Sequence, residues 1–181
     1  MLTRDDAIII LSTLKAAYPH AYKGLTRRDA EATINLWIRQ FADEESTAVA
    51  AAVEALISTR TVGYSITPGE VKEQLYSLKS AESLNESDAW ALVSRACSNG
   101  IYGYREEFAK LPPEVQRAVG APEQLKAWAM MEADTVESVV ASNFMKNYRI
   151  MKQREKETAM LPQTVREMLS GVSDSLKMLE E

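Results

Sequence analysis

Apolar residues recurring every three or four positions, three of the first four series opened by a threonine and an acid three apart, constrain this chain more than any other feature. Thr3 with Asp6 begins the pattern, and Ile8, Leu11, Leu14 and Tyr18 follow at helical spacing until Pro19 stops it. Thr26 with Asp29 repeats the start, with Ala30, Ile34, Trp37 and Phe41 as the second stripe. A third helix is expected over 46–59, burying Val49, Ala52, Val53, Leu56 and Ile57. Thr67-Pro68-Gly69-Glu70 opens a fourth, because Thr67 can accept from the helix amides and Pro68 needs no donor at the first position. Val71, Leu75 and Leu78 complete its stripe. Four such stripes with short connections predict a four-helix domain over residues 1–79.

Residues 80–87 are polar and read as a linker. Asn85 with Asp88 then opens a helix carrying Trp90, Leu92, Val93, Ala96 and Cys97, ended by an expected left-handed stop at Asn99-Gly100. Ile101-Tyr102-Gly103-Tyr104 reads as a loop. Pro112-Pro113 and Pro122 punctuate short helices, with Gly120 as a stop between them. Asp134 with Glu137 is expected to cap a long helix to about Met160, and after Pro162 a weakly amphipathic tail over 161–181 follows around Val165, Met168 and Leu169. With only seven glycines and little β-branched alternation, the expected fold class is all-α. Two small helical modules, 1–79 and 88–160, are joined by the polar linker, and a long amphipathic helix lies near the C-terminus.

Apolar residues make up 46% of the 181, enough for a real core. A net charge of −5 argues against a chain devoted wholly to nucleic acid. The single cysteine, Cys97, excludes an internal disulfide and suits a reducing compartment. Met1-Leu2-Thr3-Arg4-Asp5-Asp6 lacks the basic-then-apolar order of a signal peptide, and no apolar run approaches the roughly 20 residues that span a bilayer. A cytoplasmic protein without membrane contact is expected.

Catalysis would require a nucleophile with its base, a metal cluster, paired carboxylates or a phosphate cradle. The one histidine, His20, follows a proline at a helix end, and Cys97 sits on an apolar helix face. Glycine-rich phosphate loops are absent. Asp43-Glu44-Glu45 and Glu106-Glu107 fall at expected helix starts, where acids favour the helix dipole in any case. The reading is therefore no enzyme, no metal and no cofactor.

Surfaces remain. Between Lys146 and Lys156 stand five basic residues, Lys146, Arg149, Lys152, Arg154 and Lys156, against the single acid Glu155. Val140, Phe144, Tyr148 and Met151 share one face of that helix, while Lys146, Arg149, Lys152 and Lys156 gather about 130° away. A helix apolar on one side and basic on another suits phosphates or an acidic groove, or simply a solvated face. Tyr102 and Tyr104, beside Arg105, are a second candidate contact, suited to stacking or to interface packing.

The order of phrases in the first 80 residues is also informative. Leu14-Lys15-Ala16-Ala17-Tyr18-Pro19 leads into 30–37 (AEATINLW) and Phe41-Ala42-Asp43, then 49–57 (VAAAVEALI) and the Ser65-Ile66-Thr67-Pro68 step. This succession resembles the replicative-helicase loader/inhibitor proteins of tailed phages infecting Gram-positive bacteria. The second half, with Ala89-Trp90-Ala91-Leu92-Val93 and 108–113 (FAKLPP), is similar to a module in longer phage proteins of this kind.

The resemblance implies a helical N-terminal domain and a C-terminal region that engages a hexameric helicase. It further implies restraint of that helicase's ATPase and its delivery to an origin-bound initiator, in the host cytoplasm during infection or from a prophage. The chain departs from the short members of the family, whose C-terminal part is largely disordered, since residues 85–160 carry enough tryptophan and periodic apolar residues to fold. The alternative is a DNA-binding replication or regulatory protein that uses the basic helix 146–156, with weak nucleic-acid contact left open in either case.

Overall fold

A computed structural model describes residues 1–80 and 83–177, with side chains through Val172. Among the described residues every regular element is a helix and none is a strand, so the fold is all-α. Two compact units form, one within Met1–Ala81 and Glu157–Glu181, the other within Glu82–Lys156.

In the first unit, α1 (Arg4–Ala17), α2 (Arg27–Gln40) and α4 (Pro68–Lys79) each begin in a reciprocal capping box. Thr3, Thr26 and Thr67 accept from the amides of Asp6, Asp29 and Glu70, whose carboxylates take the threonine amides in return. The third helix, α3 (Ser46–Thr59), starts after Glu45 without a side-chain cap. A short 3₁₀ turn, Pro19–Tyr22, follows α1, and Gly24 at φ +77° then reverses the chain in a conformation a side chain would strain.

The core of this unit holds Ala7, Ile10 and Leu14 of α1, Trp37 and Phe41 at the end of α2, Val49, Ala52 and Val53 of α3, and Val71 and Leu75 of α4. This corrects the expected stripes of the first two helices. Ile8 is 40% exposed, Leu11 and Ile34 are only half-buried, and Ala30 is exposed. The helix is rotated so that Ala7 and Ile10 face inward, because α1 packs on both α2 and α3 and the small Ala7 permits close approach. Leu78 is exposed as well.

The second unit comprises α5 (Glu86–Ser98), α6 (Gly100–Lys110), α7 (Pro113–Val119), α8 (Pro122–Ala129), α9 (Ala133–Thr135) and most of α10 (Ala141–Met160). Its core gathers Ala89, Val93, Ala96, Leu111, Val115, Val119, Leu125, Phe144 and Tyr148. Trp90 and Trp128 flank Phe144 at 5.5 and 6.3 Å between ring centroids. Part of the expected linker joins this core: Leu84 packs against it, and its carbonyl accepts from the Tyr148 hydroxyl at 3.2 Å. Ala81 and Glu82, also in that stretch, lie outside the described residues.

Two expected caps give way to tertiary packing. Asn99 (φ −107°, ψ 7°) and Gly100 adopt no left-handed stop, and the supposed tyrosine loop is the first turn of α6, kinked at Gly103. Gly100 is needed for contact instead, since a Cβ there would lie 2.9 Å from the Cβ of Ala129 on α8. Asp134 is no cap either, because the helical path starts after Glu132 and passes through a π-helical stretch, Val136–Val140, before α10. Gly120, at φ +91°, does end α7. Beyond Pro162 the chain forms α11 (Gln163–Lys177), a true helix grouped with the first unit.

Candidate partner-binding surfaces

His20 is exposed in the 3₁₀ turn, and burial pushes the half-buried Cys97 thiol up to about 11, far from a reactive thiolate at neutral pH. Among the described residues no group of three or more His, Cys, Asp or Glu could hold a metal ion, and no helix is long and apolar enough to cross a membrane.

The basic helix is α10, and its charges are unequally available. Phe144 and Tyr148 are buried, as their spacing requires. Arg149 donates from Nε to Glu86 at 3.0 Å and also pairs through its terminal nitrogen. Lys152 pairs with Glu114 at 2.6 Å, lies 6.0 Å above the Tyr148 ring, and is only 22% exposed along its side chain. The Arg149 hydrogen bond holds the Glu86 carboxyl below its usual range. Burial raises Glu114, but bonding and charge pairing with Lys152 more than offset it and leave it low. Lys146 and Arg154 are exposed, whereas Lys156 is half-buried. Much of the basic face thus serves the internal carboxylates of α5 and α7, leaving Lys146 and Arg154 turned to solvent.

The two tyrosines divide in the same way. Tyr102 is 95% exposed. Tyr104 is half-buried, with Arg105 and Lys126 at 5.5 and 5.3 Å from its ring. Because Gly100 abuts Ala129, exposed Ile101, Tyr102 and Met130 come to one end of the α6–α8 pair.

No family model, curated protein or solved structure matches this chain.

Two further surfaces carry apolar area. On α11, Val165 is half-buried, while Met168, Leu169 and Val172 are 72%, 55% and 58% exposed, one stripe at helical spacing on a helix whose other face is polar. Arg166 of the same helix pairs with Asp43. Between α1 and α2 runs an open groove floored by Ile8, Leu11, Leu25 and Ile34. Ile8, Leu11 and Ile34 were present in the sequence as core stripes, Leu25 was not, and Leu11 and Ile34 pack against the core with one edge while lining the groove with the other. The stripe of α11 was legible as a weak amphipathic tail, its regularity hidden by the short segment and by Gly171.

Proposed function

We propose that the protein is a non-enzymatic adaptor that binds a hexameric replicative DNA helicase, restrains its ATPase and loads it at a phage replication origin. The observation that carries this reading is the exposed Met168, Leu169 and Val172 stripe of α11. It lies in the C-terminal region, where the resemblance of the first 80 residues to helicase loader/inhibitors places helicase contact. An amphipathic helix with anchors at i, i+1 and i+4 has the form of a helix-in-groove ligand. Tyr102 and exposed Lys146 offer secondary contacts with the partner. A direct DNA-reading role for α10 is weaker, because phosphates would have to displace Glu86 and Glu114 from Arg149 and Lys152.

The test measures binding of the full chain to a purified hexameric replicative helicase, and helicase ATP turnover with and without it. Wild type is expected to bind and slow turnover, while Met168→Glu with Leu169→Glu loses at least about tenfold in affinity and keeps its helicity. Full binding by that variant removes the basis of the reading. ATP hydrolysis by the isolated protein would contradict its adaptor character.

A further inference from the structure

The groove between α1 and α2 lies outside the surfaces used above. It has a volume of about 370 Å³, and Ile8 and Leu25 on its floor remain 40% and 42% exposed. A pocket for a small molecule must bury roughly 70–90% of its ligand, so an open trough between two helices suits a packed third helix better. Two polar groups of the wall are already satisfied: the Tyr22 hydroxyl shares a 3.0 Å bond with Ser65, and the Thr33 hydroxyl donates to the Asp29 carbonyl at 2.9 Å. A ligand meets apolar surface, the Ser12 hydroxyl and the Lys15 ammonium, and among the described residues no acid lines the groove.

Charge selects the occupant. Residues 1–40 contain six basic and four acidic side chains, net +2, while the rest of the chain carries −7. Asp6 and Asp29 keep their charges within caps at helix N-termini, and Glu31 and Arg4 offset each other at 2.7 Å. Around the groove, Lys15 lines it, Lys23 precedes lining residue Gly24, and Arg27 stands one turn before lining residue Ala30, all three exposed, while Asp29 and Glu31 on either side of Ala30 are bonded to Thr26 and Arg4.

We propose that this groove binds an amphipathic helix of a partner protein, with the partner's apolar stripe on the Ile8, Leu11, Leu25 and Ile34 floor and acidic residues along the flank facing Lys15. Apolar burial supplies affinity, and the charge pairing sets the direction in which the helix lies. This inference is independent of the helicase reading, since it uses neither α11 nor α10.

The test titrates the full-length protein into fluorescein-labelled helical peptides of about 20 residues, with leucines at alternating third and fourth positions. One peptide carries glutamates along the flank, the other lysines at the same places. The glutamate peptide is expected to bind at least about tenfold tighter, with the margin shrinking as salt rises. Lys15→Glu should reverse the preference, and Leu25→Glu should abolish binding of both peptides while circular dichroism stays unchanged. Equal affinity for the two peptides, failure of both to bind, or binding that survives Leu25→Glu would overturn the proposal. Self-association of the wild type that disappears in Leu25→Glu would assign the groove to a second copy and overturn the partner assignment too.

Discussion

Lys72 sits where a hydrophobic residue would be expected, between Val71 and Leu75 on α4 and 7% exposed. Its ammonium lies 5.8 Å from the Phe41 ring centroid and has no hydrogen-bond partner among the described residues. Burial lowers its pKa from the ordinary 10.5, against the pull of Asp43 and Glu44. A lysine with a lowered folded pKa weakens the fold in full below that value, and the penalty fades as pH rises towards 10.5. Lys72→Met keeps the aliphatic stem and removes a buried charge that lacks a hydrogen-bond partner, so it should stabilise the protein at pH 7 by about 1 kcal/mol. The gain should shrink at high pH. Urea unfolding at pH 7 and at about pH 10 checks both statements, and a destabilised pH 7 variant would mean that Phe41, Asp43 and Glu44 hold the cation better than burial penalises it.

At the scale of the element, α10 combines packing and charge in one helix. Phe144 is 3% exposed and contacts Trp90, Trp128 and Tyr148, so Phe144→Ala should cost about 3–5 kcal/mol, read as a fall in the thermal midpoint. The charges one face round do not behave alike. Lys146→Glu changes an exposed side chain and should alter stability within about 0.5 kcal/mol. Lys152→Glu places a second carboxylate against Glu114, itself 19% exposed, and should cost about 2 kcal/mol. The sequence alone predicts that reversing Lys146, Arg149, Lys152 and Lys156 together leaves the fold intact. The ion pairs change that expectation, and the two single variants, compared by urea unfolding, separate a solvated charge from one built into the packing.

For the whole molecule, each unit closes its own core, Trp37 belonging to one and Trp90 with Trp128 to the other. Carboxylates held low occur in both. Hydrogen bonding from Thr3 and Thr26 lowers Asp6 and Asp29, and bonding from Arg4 and Arg149 lowers Glu31 and Glu86. A carboxylate with a lowered folded pKa contributes stability that is complete above the ordinary values of 3.8 and 4.5 and is lost as pH falls through the folded ones. The urea midpoint should therefore stay level from about pH 7 to 5 and drop steeply towards pH 3. Followed by tryptophan emission, a midpoint unchanged at pH 3 would show that the caps and ion pairs contribute nothing to folding.

By itself the sequence determined the all-α class, most helix boundaries and the residues that cap them, because these depend on interactions within three or four positions. Thr3, Thr26, Thr67 and Asn85 each meet their acid within one turn, and no distant residue can change that. Periodicity also placed Phe144 and Tyr148 inside, since two turns of α10 offer one apolar face. Only the tertiary structure decided which edge of an apolar stripe is covered. Ile8 has the spacing of a core residue, yet it lines an open groove because α1 turns Ala7 and Ile10 inward, and Leu11 and Ile34 pack against the core while still reaching that groove. Partners far along the chain were equally illegible: Glu86 for Arg149, Glu114 for Lys152, and Ala129, whose approach makes Gly100 a packing residue instead of a helix stop. Local hydrogen bonding is encoded within a turn, whereas exposure and charge pairing depend on what the rest of the chain brings to the same place.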